Sequence, residues 1–516
     1  MEEQEKKILE RISDIYLFLI IVLFPLIVDK TGYFHILECK WKSYILISIL
    51  YFCSIIFTLL YYKIRYKEKY LTKLKFNKIH LIIFLFLLIN ILSCMFSPFF
   101  NKYNLLIGEG RGEGLIIILI YILSFVFVSL FSKLKKTHLL YFSISSILVS
   151  MIGIIQYLGF NPFNLYKEGL GFYNCWYITT IGNVDTISAI YCILLPISFA
   201  AFIFLNNKKY ENIIHLLSIF LGFFMFGIIN VQSGKVAFIV TLILLVPIIL
   251  SKSIYLKRFF IILSTFLFSY CSHILINSQY SYNLNKFIIK PQINIMVLVF
   301  LISIVILLIF ANRLDKLEYD FFSNKKLIRK IYINIFFMFL AFLLFLFFCD
   351  VKHGMLHEMH ELLNGNFNDK FGSYRIFLWK RTLKLIKEYP LLGSGCDSFA
   401  IRFMAKYTKD VMAIGPLTIN DTAANVYLTT VINVGIIGLI AYISFLFSYL
   451  KNAVKNQNKL TKIILVAVIC YIIQDFFNFS VVIVTPIYWI LLGLGMSGTK
   501  ENCQVLKKTV EICWQK

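Results

Sequence analysis

F-G-S-Y-R-I-F-L-W-K-R-T-L-K-L-I-K-E-Y-P-L-L-G-S-G-C-D-S-F, residues 371–399, sits in the long polar interval of an otherwise apolar chain, and that contrast decides the fold. Of the 516 residues, 59% are hydrophobic and only 15% charged, which is far from a soluble globular mixture. A membrane-crossing helix needs a run of about 20 apolar residues. Such runs are expected near 12–28, 43–62, 79–97, 114–132, 138–159, 184–205, 213–230, 236–250, 259–276, 293–311, 331–349, 425–449, 462–478 and 480–498. The expected fold is therefore all-α: a polytopic membrane protein with about 14 transmembrane helices and one long external helical loop. The division follows as 1–349 membrane domain, 350–424 external loop domain, 425–498 three further spans and 499–516 cytoplasmic tail.

Within the polar interval, Ser373 suits a helix cap, and Tyr389–Pro390 ends the helix, because a residue before proline is pushed out of the α region. Ile376, Trp379, Leu383 and Ile386 fall at helical spacing, and Lys380, Lys384 and Lys387 make a separate basic face. This predicts an amphipathic helix lying on a membrane surface. Arg375 falls in the first turn, where the helix dipole disfavours a cation. A bound anion resolves that conflict, since free N–H groups and a forked guanidinium both suit phosphate. The plainer reading is an arginine in water or paired with Asp369.

The net charge of +24 invites a nucleic-acid partner, but its distribution argues against one. With a cytoplasmic N-terminus, Lys and Arg concentrate in the connections that face the cytoplasm, as Lys63 to Lys78 illustrates. The excess base then reflects topology and suits anionic lipid headgroups. The same rule puts 350–424 outside and both termini inside a cell membrane. The eleven cysteines include no C-x-x-C pair. Cys53, Cys94, Cys192, Cys271, Cys349 and Cys470 fall in or beside spans as small hydrophobes, and Cys39, Cys175 and Cys396 form no legible disulfide framework.

Other polar groups gather at span ends. The loop G-E-G-R-G-E-G-L, 108–115, reads as a tight turn or a close backbone approach. Asn183 and Asp185 stand where one span begins, as a cap or as a partner for a positive group. Lys235, in V-Q-S-G-K, is placed at a helix end, where a lysine either snorkels or turns inward. Asp421 and Asn425 are four apart and share a face at the mouth of a span. Gln474, Asp475 and Asn478 cluster at the end of another, where polar side chains are functional candidates. His353, His357 and His360 share a helical face, but H-E-M-H-E lacks the spacing of zinc proteases, and an amphipathic surface helix accounts for them; no metal is expected. No nucleotide motif occurs.

Together, R-G-E-G-L at 111–115, G-N-V-D at 182–185, Q-S-G-K at 232–235, G-S-Y-R-I-F-L-W-K at 372–380, P-L-L-G-S-G-C-D-S-F at 390–399 and D-T-A-A-N-V-Y-L at 421–428 resemble the O-antigen ligase and polymerase superfamily of bacterial membrane glycosyltransferases. The resemblance covers roughly residues 100 to 500, and its most specific part is 372–399. It implies transfer of glycan from an undecaprenyl diphosphate carrier on the outer membrane face, in cell-surface polysaccharide assembly, without nucleotide, metal or other cofactor. It implies Arg375 and Lys235 as the groups on the donor diphosphate. Asp421 and Asn425 then stand around the acceptor, and Asn183, Asp185 and Trp379 shape the site. The implied partners are a polyprenyl diphosphate-linked glycan, an acceptor the sequence does not name, and the bilayer; nucleic acid is not among them. Two departures matter. The family's second basic residue follows a serine in S-R-G, whereas this chain has Ser233-Gly234-Lys235, and a lysine lacks the fork. The family's histidine in D-x-A-H-N is Ala424 here, so Asp421 or Asp475 must take the acceptor's proton if the chain is active. The rival expectations are a catalytically silent relative that binds lipid-linked glycan or scaffolds its assembly, and, less well supported, a transporter or flippase.

Overall fold

The computed structural model describes residues 2–66, 76–102, 104–165, 177–279, 291–314, 325–349, 351–352, 354–414 and 421–498. His353, Cys175, the tail 499–516 and part of the basic connection Lys63 to Lys78 lie outside the described residues. The described chain is almost wholly helical: α1 (Glu2–Phe18), α2 (Ile36–Tyr66), α3 (Lys78–Met95), α4 (Leu115–Phe131), α5 (Lys136–Tyr157), α6 (Val184–Phe204), α7 (Lys209–Ile229), α8 (Gln232–Ile249), α9 (Ser253–Gln279), α10 (Pro291–Leu314), α11 (Lys325–Phe348), α12 (Gly354–Leu363), α13 (Phe371–Ile386), α14 (Phe399–Ile414), α15 (Val426–Lys455), α16 (Lys459–Asp475) and α17 (Thr485–Ser497). It is an all-α polytopic membrane protein. The first expected span, 12–28, is α-helical only as far as Phe18, and Leu19–Leu23 and Phe24–Leu26 continue as π and 3-10 turns. The other thirteen overlap a helix among α2–α11 and α15–α17 along most of their length. Ten of these are long and apolar enough to cross a membrane, and α4 and α17 are shorter apolar helices.

Helix α6 is the axis of the bundle. Its most apolar window is 94% buried, against 6% for α10 and α11. Small side chains explain the difference. Ser188, Ala189, Ser198, Ala200 and Ala201 let neighbouring backbones approach, where bulky side chains would hold them apart. Gly234 of α8 sits so close to α6 that an added Cβ would lie 2.1 Å from Ser188 Oγ. A two-stranded hairpin, β1 (Tyr177–Ile178) with β2 (Gly182–Asn183), leads directly into α6. Asn183 Oδ1 accepts from the Asp185 amide and caps the helix.

Helix α15 is broken at Gly435, whose φ is +72°. The break frees backbone groups that would be costly to bury unpaired. The stretch P-L-L-G-S-G supplies the partners. Ile436 N donates to Pro390 O (2.8 Å) and Ile437 N to Leu391 O (3.3 Å), while Ser394 N donates to Ile432 O (3.0 Å) and Gly395 N to Asn433 O (2.9 Å). Only glycine fits the kink, because a Cβ at residue 435 would lie 1.9 Å from Leu391 O.

Helices α13 and α14 form a second, smaller core with the start of α15: Phe377, Leu378, Leu385, Phe399, Phe403, Val411, Ala423 and Ile432. The expected apolar stripe holds at three of its four positions: Ile376 is buried and Trp379 and Ile386 pack against this core. Leu383 is the exception at 53% exposed, and Phe377, Leu378, Thr382 and Leu385 widen the buried face toward α14 and α15. The basic face is also occupied. Lys380 and Arg381 both pair with Asp369, and Arg381 also pairs with Asp410 and stacks on Phe377. Ser373 does not cap the helix. Gly372, Ser373 and Tyr374 are all left-handed, with φ of +62°, +56° and +66°, and regular α13 geometry starts after them. A second correction concerns the last span, expected over 480–498. The helix begins at Thr485, and Phe476–Val484 is non-helical and mostly buried. Pro486 fits only the first turn, and the Thr485 hydroxyl accepts from the Val481 amide to hold the turn before it.

Candidate functional site

The site lies at the end of the bundle where α4, α6, α8, α15 and α17 begin and α16 ends. Two loops are pinned together there. Asp397, at the close of P-L-L-G-S-G-C-D, accepts through Oδ2 from the amides of Gly110 (3.0 Å), Arg111 (3.0 Å) and Glu113 (3.3 Å). Consecutive amides converging on one anionic oxygen make a nest, and the glycines of R-G-E-G permit it: a Cβ on Gly108 would fall 2.5 Å from that carboxylate. Burial and the nearby Glu113 push the Asp397 carboxyl up to about 7, against the three amides, which favour its charged form. Glu113 accepts from the Tyr121 hydroxyl, and burial raises its carboxyl as well.

The nest aims Arg111. Its Nε lies 2.6 Å from Asp421 Oδ2, its Nη2 donates to Asp421 Oδ1 at 2.9 Å, and its guanidinium sits 3.9 Å from the centre of the Phe479 ring. The buried segment Phe476–Val484 thus provides the platform for one arginine and a carbonyl for another. Arg375 donates from Nε to Phe477 O (3.1 Å) and from Nη1 to Gly372 O (2.9 Å). The left-handed turn before it is what folds Gly372 O back into reach. Burial lowers the Arg375 guanidinium's proton affinity and Asp185 raises it. The Asp185 carboxylate stands in the field of both Arg375 and Arg111. Asn478 donates to the Asp185 carbonyl at 3.1 Å, which ties the same segment to α6.

The remaining expected residues can now be located. Asn425 caps α15 through a bond from the Leu428 amide and is buried. Trp379 Nε1 donates to Ala423 O at 3.0 Å and packs edge-on to Phe476, so it buttresses the turn that carries Asp421. Ala424 holds φ at +47°, a conformation disfavoured for a residue with a Cβ. Asn183 serves α6 as its cap. Lys235 begins α8 on the same end of the bundle, but its ammonium goes to Asn230 Oδ1 at 2.6 Å. Arg375 and the start of α6 with Asp185 are tied to the 476–484 segment, Arg111 joins that segment to Asp421, Trp379 and Asn425 brace the turn beside Asp421, and Lys235 is turned toward the end of α7. Asp475 is buried, with no hydrogen-bond partner for its carboxyl among the described residues, and Gln474 bonds to Ser188. His357 and His360 each use Nδ1 on a backbone carbonyl, of Val351 and Leu346.

Sequence reasoning missed Arg111, Asp397 and Phe479 as site residues. The four glycines of 108–115 and the acid ending the 390–397 turn were the visible signals. What they lacked was the 284- to 287-residue separation that folding closes.

One end of this helical bundle thus carries a cluster of arginines and carboxylates, with Arg111 paired to Asp421 and Arg375 held on backbone carbonyls. The family model described as O-antigen ligase matches residues 292–443, from α10 to the middle of α15, and so takes in Arg375, Trp379, Asp421, Ala424 and Asn425. Over that stretch, less than a third of the chain, the protein is similar to the O-antigen ligase family. A search of curated proteins gave no match.

Proposed function

We propose that the protein transfers or polymerises glycan from an undecaprenyl diphosphate-linked donor at the outer face of the cell membrane, with residues 350–424 external and both termini cytoplasmic. One observation carries this reading. Arg375, the arginine of the motif inside the matched stretch, is held by two backbone carbonyls, and Nη2 has no acceptor among the described residues. A preorganised guanidinium in a low-dielectric setting strongly stabilises charge that grows on a leaving diphosphate. In the step itself, an acceptor hydroxyl oxygen attacks the anomeric carbon of the donor sugar. The bond from that carbon to the diphosphate oxygen breaks, the lipid diphosphate leaves with the electron pair, and the hydroxyl proton passes to a carboxylate. Asp421 is that carboxylate, with Asn425 beside it. Arg375 meets the diphosphate, Asn183, Asp185 and Trp379 shape the walls, and Lys235, which the resemblance also put on the diphosphate, is held away by Asn230. The polyprenyl tail remains in the bilayer. The chemistry draws on no nucleotide, metal or cofactor.

The test uses the purified protein with a lipid-linked oligosaccharide. Arg375→Ala is expected to lower transfer at least about 100-fold, the scale of losing one charge-stabilising donor. Unchanged donor binding and transfer would refute the role.

Ala424 favours a second reading, a silent relative that binds lipid-linked glycan. The left-handed φ at residue 424 is compatible with histidine, which is enriched there among non-glycine residues. Under this reading Ala424→His gains transfer from a null background. Abundant transfer by the unaltered protein would eliminate it.

A further inference from the structure

Two guanidiniums from distant parts of the chain meet at one short segment. Arg375 arrives from the left-handed turn before α13 and donates to the Phe477 carbonyl, and Arg111 arrives from the amide nest on Asp397 and lies over the Phe479 ring. Each is fixed in position without being used up. Arg375 commits Nε and Nη1 to carbonyls, and Arg111 commits Nη2 to Asp421 Oδ1, while its Nε lies 2.6 Å from Oδ2 without hydrogen-bond geometry. Nη2 of the first and Nη1 of the second have no acceptor among the described residues. Phe479 lies 3.9 Å under the Arg111 plane and keeps the fork's orientation. Lys235, in contrast, commits its ammonium to Asn230.

We infer that Arg111 is the second cation for the donor diphosphate, held ready by Asp421 and exchanged to the phosphate when the donor arrives. The inference rests on the proposed function and changes its cast: the fork missing at Lys235 is supplied by a different loop. The chemistry favours the exchange. A carboxylate offers Arg111 one two-oxygen edge, whereas a diphosphate offers several such edges and more charge, and it can bridge Arg111 and Arg375 together. Until a donor arrives, Asp421 spares Arg111 from being a largely buried charge without a partner. The exchange also releases the Asp421 carboxylate at the moment the donor is seated. Proton acceptance is thereby tied to donor occupancy, and a lone acceptor meets a carboxylate still held by arginine.

The experiment is equilibrium binding of radiolabelled undecaprenyl diphosphate to the full-length protein in zwitterionic nanodiscs, with undecaprenyl monophosphate as the comparison ligand. Arg111→Gln is expected to weaken diphosphate binding about 10- to 100-fold, the range of one charge-assisted contact, with Arg111→Lys in between. The monophosphate should show the smaller loss, because it cannot span two forks. Asp421→Asn should tighten diphosphate binding, by about threefold or more, because the competing carboxylate is gone. A misfolded variant cannot give that opposite sign. Lys235→Gln should change binding by less than about threefold. Loss on Arg375→Gln with no loss on Arg111→Gln overturns this inference and leaves the carrier reading standing. Weaker binding by Asp421→Asn also overturns it. Indifference to both arginine variants removes the carrier reading itself.

Discussion

Asp397 illustrates what a single residue does here. It touches neither arginine side chain, yet it fixes the amides that aim one of them. Its carboxyl titrates near pH 7 when folded and near the model-compound value of 3.8 when unfolded. The folded protein therefore binds this proton more tightly, and the stability it brings is fully present below about pH 4 and is lost as pH rises through about 7. Thermal unfolding in detergent should show a midpoint that falls between about pH 4 and pH 7 on this account, and Asp397→Asn should flatten that dependence. An unchanged slope in the variant would mean that the nest holds a carboxylate already ionised at low pH. The residue was visible in the sequence only as the acid after a glycine turn. Its role was not, because the three amides it engages belong to another loop. Arg375 was legible, since a motif and an awkward position in the first turn both singled it out. Its real surroundings, a carbonyl from Phe477 and a left-handed turn, were not.

Elements show the same division. Apolar run length located the spans well, since a bilayer imposes that length on any helix that crosses it. The stripe on α13 holds at Ile376, Trp379 and Ile386 and fails at Leu383, because periodicity reports that a stripe exists and says nothing of competition for it. The cluster of Phe399 and Phe403 on α14 draws in Phe377 and Leu378 instead of Leu383. The break in α15 was equally unreadable, as one glycine in a long apolar run carries no mark of its φ. It yields a direct expectation. Gly435→Ala combines a positive φ with a collision against Leu391 O, so it should cost about 3 kcal/mol or more. Gly159→Ala has a similar φ problem but nothing within 4 Å of the new Cβ, and should cost only about 1 kcal/mol. The difference between their unfolding midpoints in detergent measures the collision alone. Equal midpoints would mean that P-L-L-G-S-G does not pack into the break.

At the level of the whole molecule, helices sort by how much protein surrounds them. Helix α6 is sheathed almost completely, and α10 and α11 lie nearly bare to lipid. Total hydrophobicity does not predict this, since the two bare helices are the most apolar of the ten. The small side chains of α6 were the available clue, because in lipid it is close approach, and not greasiness, that favours helix association. The matched family stretch begins at α10 and ends inside α15, yet Arg111, Asp185 and Phe477 lie outside it. The site is thus assembled from both sides of the stretch that bears the family pattern.

The buried segment between α16 and α17 has a consequence for biogenesis. It furnishes the carbonyl under Arg375 and the ring under Arg111, and it is laid down after every charged group it organises. A nascent chain halted before residue 476 would expose both arginines with neither support, whatever helices had already entered the bilayer. Under the proposed function, competence arrives only once the segment joining α16 to α17 is in place, so copies halted before it should remain inert while they wait in the membrane.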